Sequence, residues 1–244
     1  MNITEKFLAL TLRTYPHGTE NDLLHLLPDT LNSDEFGNYY VQIGDSHTMF
    51  TSHLDTVSSS VVNVQHVFDG QLIKTDGKSI LGADDKAGVT IMIFMIENNI
   101  PGLYYFFIGE EVGCVGSTLL AEKFKAEKSS KIKKVISFDR RGTDSVITFQ
   151  SSVRCASDTF GTALANQLNA IDSTFNYKTD PTGILTDSFK FIDVIPECTN
   201  ISVGYRHEHT TREQQDFEHL NKLSNACIKL DWEALPVERM PNVY

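Results

Sequence analysis

The stretch DKAGVTIMIFMIENNIPGLYYFFIGEE, Asp85–Glu111, decides the architecture. Its first part, Asp85–Asn99, is apolar over most of its faces and long enough to be a helix buried on several sides. Its last part, LYYFFIGEE, is an aromatic-rich strand that ends on two adjacent glutamates, Glu110 and Glu111. A buried helix feeding a strand in this way is the unit of an α/β fold. The glutamate pair poses a separate question. Adjacent carboxylates repel, so something beyond the strand end must hold them there.

Upstream, ITEKFLALTLRTY and TENDLLHLLPDTL read as helices, the second with Thr19 as its N-cap. After the turn-like DEFGN, YYVQIG and HTMFTSHLD read as strands, and VQHVFDGQLIKTDG as a hairpin turning on Asp69-Gly70. Downstream, VGSTLLAEKFKAEK is a helix with a polar outer face, and KKVISFD and SVITFQS are strands. DTFGTALANQLNA is a helix, TDSFKFIDVI a short helix beginning near Asp187, and CTNISVGY a strand. DFEHLNKLSNACIKLDWEAL closes the chain as a helix. The alternation predicts the α/β class, a three-layer α/β/α sandwich with a central, mostly parallel mixed sheet. No repeat, low-complexity tract or linker divides the chain, so a single domain over residues 1–244 is expected.

Composition narrows the function. A formal net charge of −11 argues against nucleic acid, which needs a basic stripe, and does not favour anionic membranes. The N-terminus has no basic n-region and no long apolar core, so no signal peptide is expected. No apolar run approaches the roughly 20 residues of a membrane-spanning helix. Cys114, Cys155, Cys198 and Cys227 lack CxxC spacing and are expected as reduced core thiols in a cytoplasmic protein.

In open α/β sheets, function gathers beyond the carboxyl ends of the strands. The acidic and histidine residues fall mainly there: His53 and Asp55 after MFTS, Glu110 and Glu111 after FFIG, Asp139 after VISF, and His207 and His209 after NISVGYR. Asp84 and Asp85 open the buried helix. Imidazole and carboxylate are zinc ligands. Two histidines and three carboxylates would hold two metals around a shared carboxylate and a water, with a further carboxylate as base. One glutamate of the pair then binds metal and the other stays free beside that water, and the cations offset the repulsion.

Taken in order, His53-Leu54-Asp55, Gly82-Ala83-Asp84-Asp85-Lys86-Ala87-Gly88, Gly109-Glu110-Glu111, Asp139, and His209-Thr210-Thr211-Arg212-Glu213 resemble the motifs of the di-zinc exopeptidase superfamily, which includes peptidase T, glutamate carboxypeptidase and bacterial zinc aminopeptidases. The resemblance runs from roughly residue 36 to residue 216. It implies His53 on one metal, Asp84 bridging, Glu111 and Asp139 as terminal ligands, and His209 on the other metal. It implies Glu110 as general base, with Asp55 holding the free ring nitrogen of His53. Asp84 is preferred to Asp85, and His209 to His207, on the family spacing. The cofactor expected is two Zn2+, with Co2+ or Mn2+ as substitutes.

The sequence departs from peptidase T and the carboxypeptidases in the interval between Asp139 and His209, which suffices to finish the sheet and leaves no room for a lid or dimerisation insertion. The interval from His53 to Asp84 is also too short for one. A catalytic domain alone is therefore expected, cleaving an amide bond of a small peptide, first as an aminopeptidase or tripeptidase-like enzyme. A carboxypeptidase or N-acyl-amino-acid deacylase is the enzymatic alternative, and a catalytically silent metal- or peptide-binding domain the other; oligomeric state is not legible. Asp187 reads either as a site-facing acid or as a helix N-cap. Arg140, Arg141, Arg154 and Arg206 are candidates to grip a peptide carboxylate, because a guanidinium matches it bidentately. Cys114 reads as packing, and His66, His207 and His219 as surface residues.

Overall fold

The computed structural model describes residues 1–127 and 131–241. In chain order the elements are α1 (Ile3–Leu10), a 3-10 helix (Glu20–Leu26), β1 (Asn32–Ser33), β2 (Tyr39–Ile43), β3 (Thr48–His53), β4 (His66–Asp69), β5 (Leu72–Thr75) and α2 (Ala83–Glu97). There follow β6 (Gly102–Phe107), α3 (Val115–Glu127), β7 (Lys134–Arg140), β8 (Ser145–Ile147), β9 (Phe149–Gln150), β10 (Val153–Arg154) and α4 (Asp158–Ile171). The chain ends with β11 (Lys178–Asp180), a second 3-10 helix (Asp187–Phe191), β12 (Glu197–Ser202), β13 (Tyr205–Arg206), β14 (Gln214–Asp216) and α5 (Phe217–Cys227).

The main sheet has eight strands in the order β1-β2-β6-β3-β7-β12-β8-β11. Its centre, β6-β3-β7-β12, is parallel throughout, while β2 and β8 pair antiparallel to the centre and β11 runs parallel to β8. Every residue of β3 is buried, as a parallel strand covered on both faces requires. The helix that decides the fold, α2, is buried on nearly all sides, against β3 and β7 below and α1 and α5 beside it. The second 3-10 helix packs against β3, β7 and β12 with α3 outside it, and α4 covers β8 and β11. The expected three layers and the mixed, centrally parallel sheet are present. A four-stranded antiparallel sheet, β13-β14-β5-β4, flanks the carboxyl edge.

This topology places the site. Four parallel strands deliver His53, Phe107, Arg140 and Ser202 to one edge, so the loops after them share one crevice.

Several element expectations are corrected. TENDLLHLL forms a 3-10 helix, and the Thr19 side chain does not cap it: its hydroxyl donates to the Pro16 carbonyl at 2.7 Å and accepts from no helix amide. SVITFQS divides into β8 and β9. The last helix ends at Cys227, where Trp232 Nε1 donates to its carbonyl at 2.9 Å and folds the following residues back. The expected end of α3 at Lys128 lies outside the described residues. All four cysteines are buried and free. Among the described residues no helix is long and apolar enough to cross a membrane.

Candidate metal centre

His53 ends β3 with its side chain buried. Its Nε2 faces Asp84 Oδ1 at 3.1 Å, and Asp139 Oδ1 and Glu110 Oε2 at 3.8 and 3.9 Å. The other oxygen of Asp84 lies 3.1 Å from His209 Nε2, which also stands 3.1 Å from Glu111 Oε2. Asp84 thus lies between two imidazoles, one oxygen toward each. Ligand atoms of His53, Asp84 and Glu111 lie within reach of one another, as do those of His53, Asp85 and Asp139, and Asp84 is the carboxylate that faces both His53 and His209.

The surrounding contacts explain why these side chains converge. Asp84 and Asp85, joined by a cis peptide bond, sit at the start of α2 outside regular helical geometry. Glu213 fixes this loop: its carboxylate accepts from the amides of Leu81 and Gly82 at 2.8 Å and of Asp84 at 3.0 Å. Asp85 turns inward, accepting from the Ser52 hydroxyl, the His53 amide at 3.3 Å and the Gly88 amide at 3.3 Å. Asp139 is held by the Tyr205 hydroxyl at 3.0 Å and by the Thr186 hydroxyl, and its backbone by the Asn200 side chain.

The glutamate pair is anchored from below. Asp55 Oδ1 accepts the Glu110 amide and Oδ2 the Glu111 amide, each at 3.0 Å. His53 Nδ1 meets the Asp55 carbonyl at 3.0 Å and the carboxylate at 3.5 Å. Asp55 therefore orients His53 chiefly through its backbone and spends its side chain on the two amides. Lys86, fully buried, donates to the carbonyls of Leu54 and Asp55 at 2.5 and 3.3 Å and ties the same loop to α2.

So much buried acid distorts the protonation equilibria. Burial, with Asp187, Asp84 and Glu111 nearby, pushes the Glu110 carboxyl up to about 8 despite the opposing His53. Burial likewise raises Asp85 and Asp139 well above the usual carboxylate range. Hydrogen bonds to Asp84 and Glu111 lift His209 to about 10. For Asp84 burial works upward, but the two histidines outweigh it and hold the carboxyl below its ordinary value.

The donor set fits divalent cations of the zinc kind: imidazole nitrogens and carboxylate oxygens within reach of one another, as in the group His53, Asp84 and Glu111. Glu111 Oε1 is buried with no hydrogen-bond partner, which is the condition of an oxygen intended for a cation.

The structure brings together His53, Asp55, Asp84, Glu110, Glu111, Asp139 and His209. His207, two residues from His209, is exposed and stays out of the group. Asp187 is buried with Oδ1 unpartnered and does not cap the 3-10 helix, whose N-cap is Thr186. Cys114 is buried and its thiol donates to Glu110 Oε1 at 3.4 Å, consistent with packing. Arg154 is remote, paired with Asp158 at 2.9 Å. His219, expected at the surface, is buried against the Tyr177 hydroxyl at 2.9 Å, and His66 is half-buried against Thr11. Glu213 had been visible in the closing motif without a role; no local signal marks Tyr205, Asn200 or Thr186.

The site opens as a cleft of about 230 Å³, with Ile184 and Leu185 on its rim. Comparison with known proteins bears on the family and the fold. The family model of peptidase family M28 matches residues 38–228. The chain is 46% identical over 78 residues, 29% of its length, to the uncharacterized protein YqjE of Bacillus subtilis strain 168, and 34% identical over 111 residues, 42% of its length, to peptidase T of Serratia proteamaculans strain 568. These alignments cover 21% and 25% of the two relatives, so the chain spans a quarter or less of their length. Among solved structures, the aminopeptidase PepT from Bacillus cereus superposes with a TM-score of 0.75 at 17% identity, covering 93% of this chain and 96% of that one, a likeness of fold.

Proposed function

The chain belongs to peptidase family M28, and from that premise we propose that it is a metal-dependent exopeptidase that removes residues from the amino end of small peptides. The observation that carries this reading is the Asp84 carboxylate, each oxygen turned to a different histidine. On this reading His53, Asp84 and Asp139 hold one zinc ion, and Asp84, Glu111 and His209 the other, with cobalt or manganese able to substitute. Metal held by these residues would supply Lewis-acid chemistry, polarisation of the scissile carbonyl and a lowered pKa for water. Residues 1–244 act as one catalytic domain without a lid insertion.

Glu110 is the base. Raised to about 8 by burial among uncompensated acids, its carboxyl would ionise once cations offset that charge, and the carboxylate then takes a proton from the attacking water and returns it to the departing amine. Asp55 fixes both glutamate amides, so that Glu111 serves the metal while Glu110 stays free on the cleft side. The expensive adjacency of two carboxylates then has a purpose, with one acting as ligand and the other as proton carrier.

Replacing Glu110 by Gln tests the reading. Metal-loaded Glu110→Gln protein should lose turnover by about 10²–10⁴-fold and keep its metal content by elemental analysis. Unchanged turnover would take the base role from Glu110, and no turnover in either metal-loaded protein would reduce the chain to a binding domain. A panel of amino-free, amino-blocked and carboxyl-blocked peptides fixes the specificity. Cleavage of amino-blocked peptides would move the assignment to a deacylase or carboxypeptidase.

A further inference from the structure

Beside the acidic cleft lies a second cavity of about 460 Å³, lined by Arg140, Arg141, Ser145, Arg206, His207 and Glu208. The two share Arg140, Arg141 and Glu208, so they form one trough with acid at one end and arginine at the other. We propose that this arginine end is a carboxylate-binding subsite, and that the preferred substrates are peptides with a negative charge on the leaving-group side of the scissile bond. The inference rests on the peptidase reading above and names its substrate class.

Three of the chain's seven arginines meet in this cavity of a protein whose formal net charge is −11. Arg140 follows Asp139 directly at the end of β7, which ties the subsite rigidly to the metal-side carboxylate. Its guanidinium is braced by Asp180 at 3.4 Å and by the carbonyl and hydroxyl of Thr182 at 3.3 Å, yet its Nε is buried without a partner. Arg141 pairs with Glu208 at 3.1 Å. Arg206, on β13 beside the Tyr205 that holds Asp139, is exposed and has no ion pair among the described residues. Two protein carboxylates thus face three guanidinium groups, leaving one cationic fork in excess. A guanidinium presents parallel N–H donors matched to a carboxylate. A short peptide carries an ammonium at one end and a carboxylate at the other, so the trough's polarity orients it with the amine toward the acidic end.

The carboxylate can belong to the peptide's C-terminus or to an acidic side chain, and the test separates them. Matched tripeptides are compared as free acid, as C-terminal amide, and as amide with Glu or Gln in the last position. Wild-type protein should favour the free acid over the plain amide by about tenfold or more, mainly through KM, and the preference should weaken with added salt. Recovery of the preference by the Glu amide identifies side-chain recognition; no recovery identifies the terminus. In Arg206→Gln and Arg141→Gln the acid-to-amide ratio should fall toward one, and in Arg154→Gln, outside the trough, it should hold. Equal cleavage of acid and amide by an enzyme that still depends on Glu110 overturns the subsite and leaves the peptidase reading standing. Calorimetric affinity of Glu110→Gln protein for acid and amide reads the same ratio without turnover, so equal affinities overturn the subsite even if no peptide is cleaved.

Discussion

Asp55 is the residue on which the glutamate pair depends. Burial would raise its carboxyl, but the hydrogen bond with His53 and the amides of Glu110 and Glu111 hold it below the ordinary range, so it is anionic where it is needed. Exchanging it for Asn keeps the shape and puts an NH2 against one amide that needs an acceptor. Asp55→Asn should therefore bind metal about 10–100-fold more weakly, read by competition with a chromophoric chelator, with the fold intact by circular dichroism. At this scale the sequence was informative because each candidate ends a strand or opens a helix. The choice of Asp84 over Asp85 was not decidable from residue type, since both are buried acids. What favours Asp84 is the loop that Glu213 clamps: it sets Asp85 on the Ser52 hydroxyl, still within reach of His53 and Asp139, and Asp84 between the two imidazoles.

Among the elements, α2 approaches the sheet so closely that one position tolerates no side chain. A Cβ on Gly88 would lie 2.3 Å from both the Phe138 carbonyl oxygen and the Ser52 hydroxyl, and 2.8 Å from Asp85 Oδ1. Gly88→Ala should cost about 1–3 kcal/mol in denaturant unfolding, because a backbone atom cannot give way as a flexible side chain would. Helix α5 carries a pH dependence. Burial depresses His219 to about 4 from an ordinary 6.5, so between these values the unfolded chain binds the extra proton. Stability contributed by neutral His219 is complete above about 6.5 and is lost as pH falls toward 4, up to about 3 kcal/mol. His219→Gln should flatten that part of the stability profile relative to wild type. The elements legible in the sequence were those with a long local signal, such as α2, α4 and the central strands. β11 and β14 are three residues each, too short for a local pattern: β11 is held by the distant β8, and β14 by the distant β5 and the two-residue β13. The 3-10 helix at Glu20–Leu26 lies between Pro16 and Pro28, and with Thr19 turned back to Pro16 it lacks the cap an α-helix would use.

The whole molecule concentrates negative charge where its four parallel strands end. Asp84, Asp85, Glu110, Glu111, Asp139 and Asp187 crowd one crevice against His53, His209 and Lys86, and the raised carboxyls of Glu110, Asp85, Asp139 and Asp187 record the strain of that imbalance. On the proposed assignment, divalent cations that enter this crevice would bind the folded chain alone, since His53, Asp84, Glu111, Asp139 and His209 come from five separate segments that only the fold assembles. Binding therefore adds to stability by mass action, about 2.7 kcal/mol at a hundredfold excess over the dissociation constant. For a chain of 244 residues that corresponds to a rise in melting temperature of about 5–10 °C. Thermal unfolding with zinc, and again after chelation, should show this difference, and it should shrink from pH 7.5 to pH 5 as protons compete for imidazole and carboxylate. His53→Ala, which removes the imidazole at the centre of one group, should abolish most of the rise. Equal melting temperatures with and without metal would mean that the fold carries its acidic edge uncompensated, and the metal assignment would fall with it.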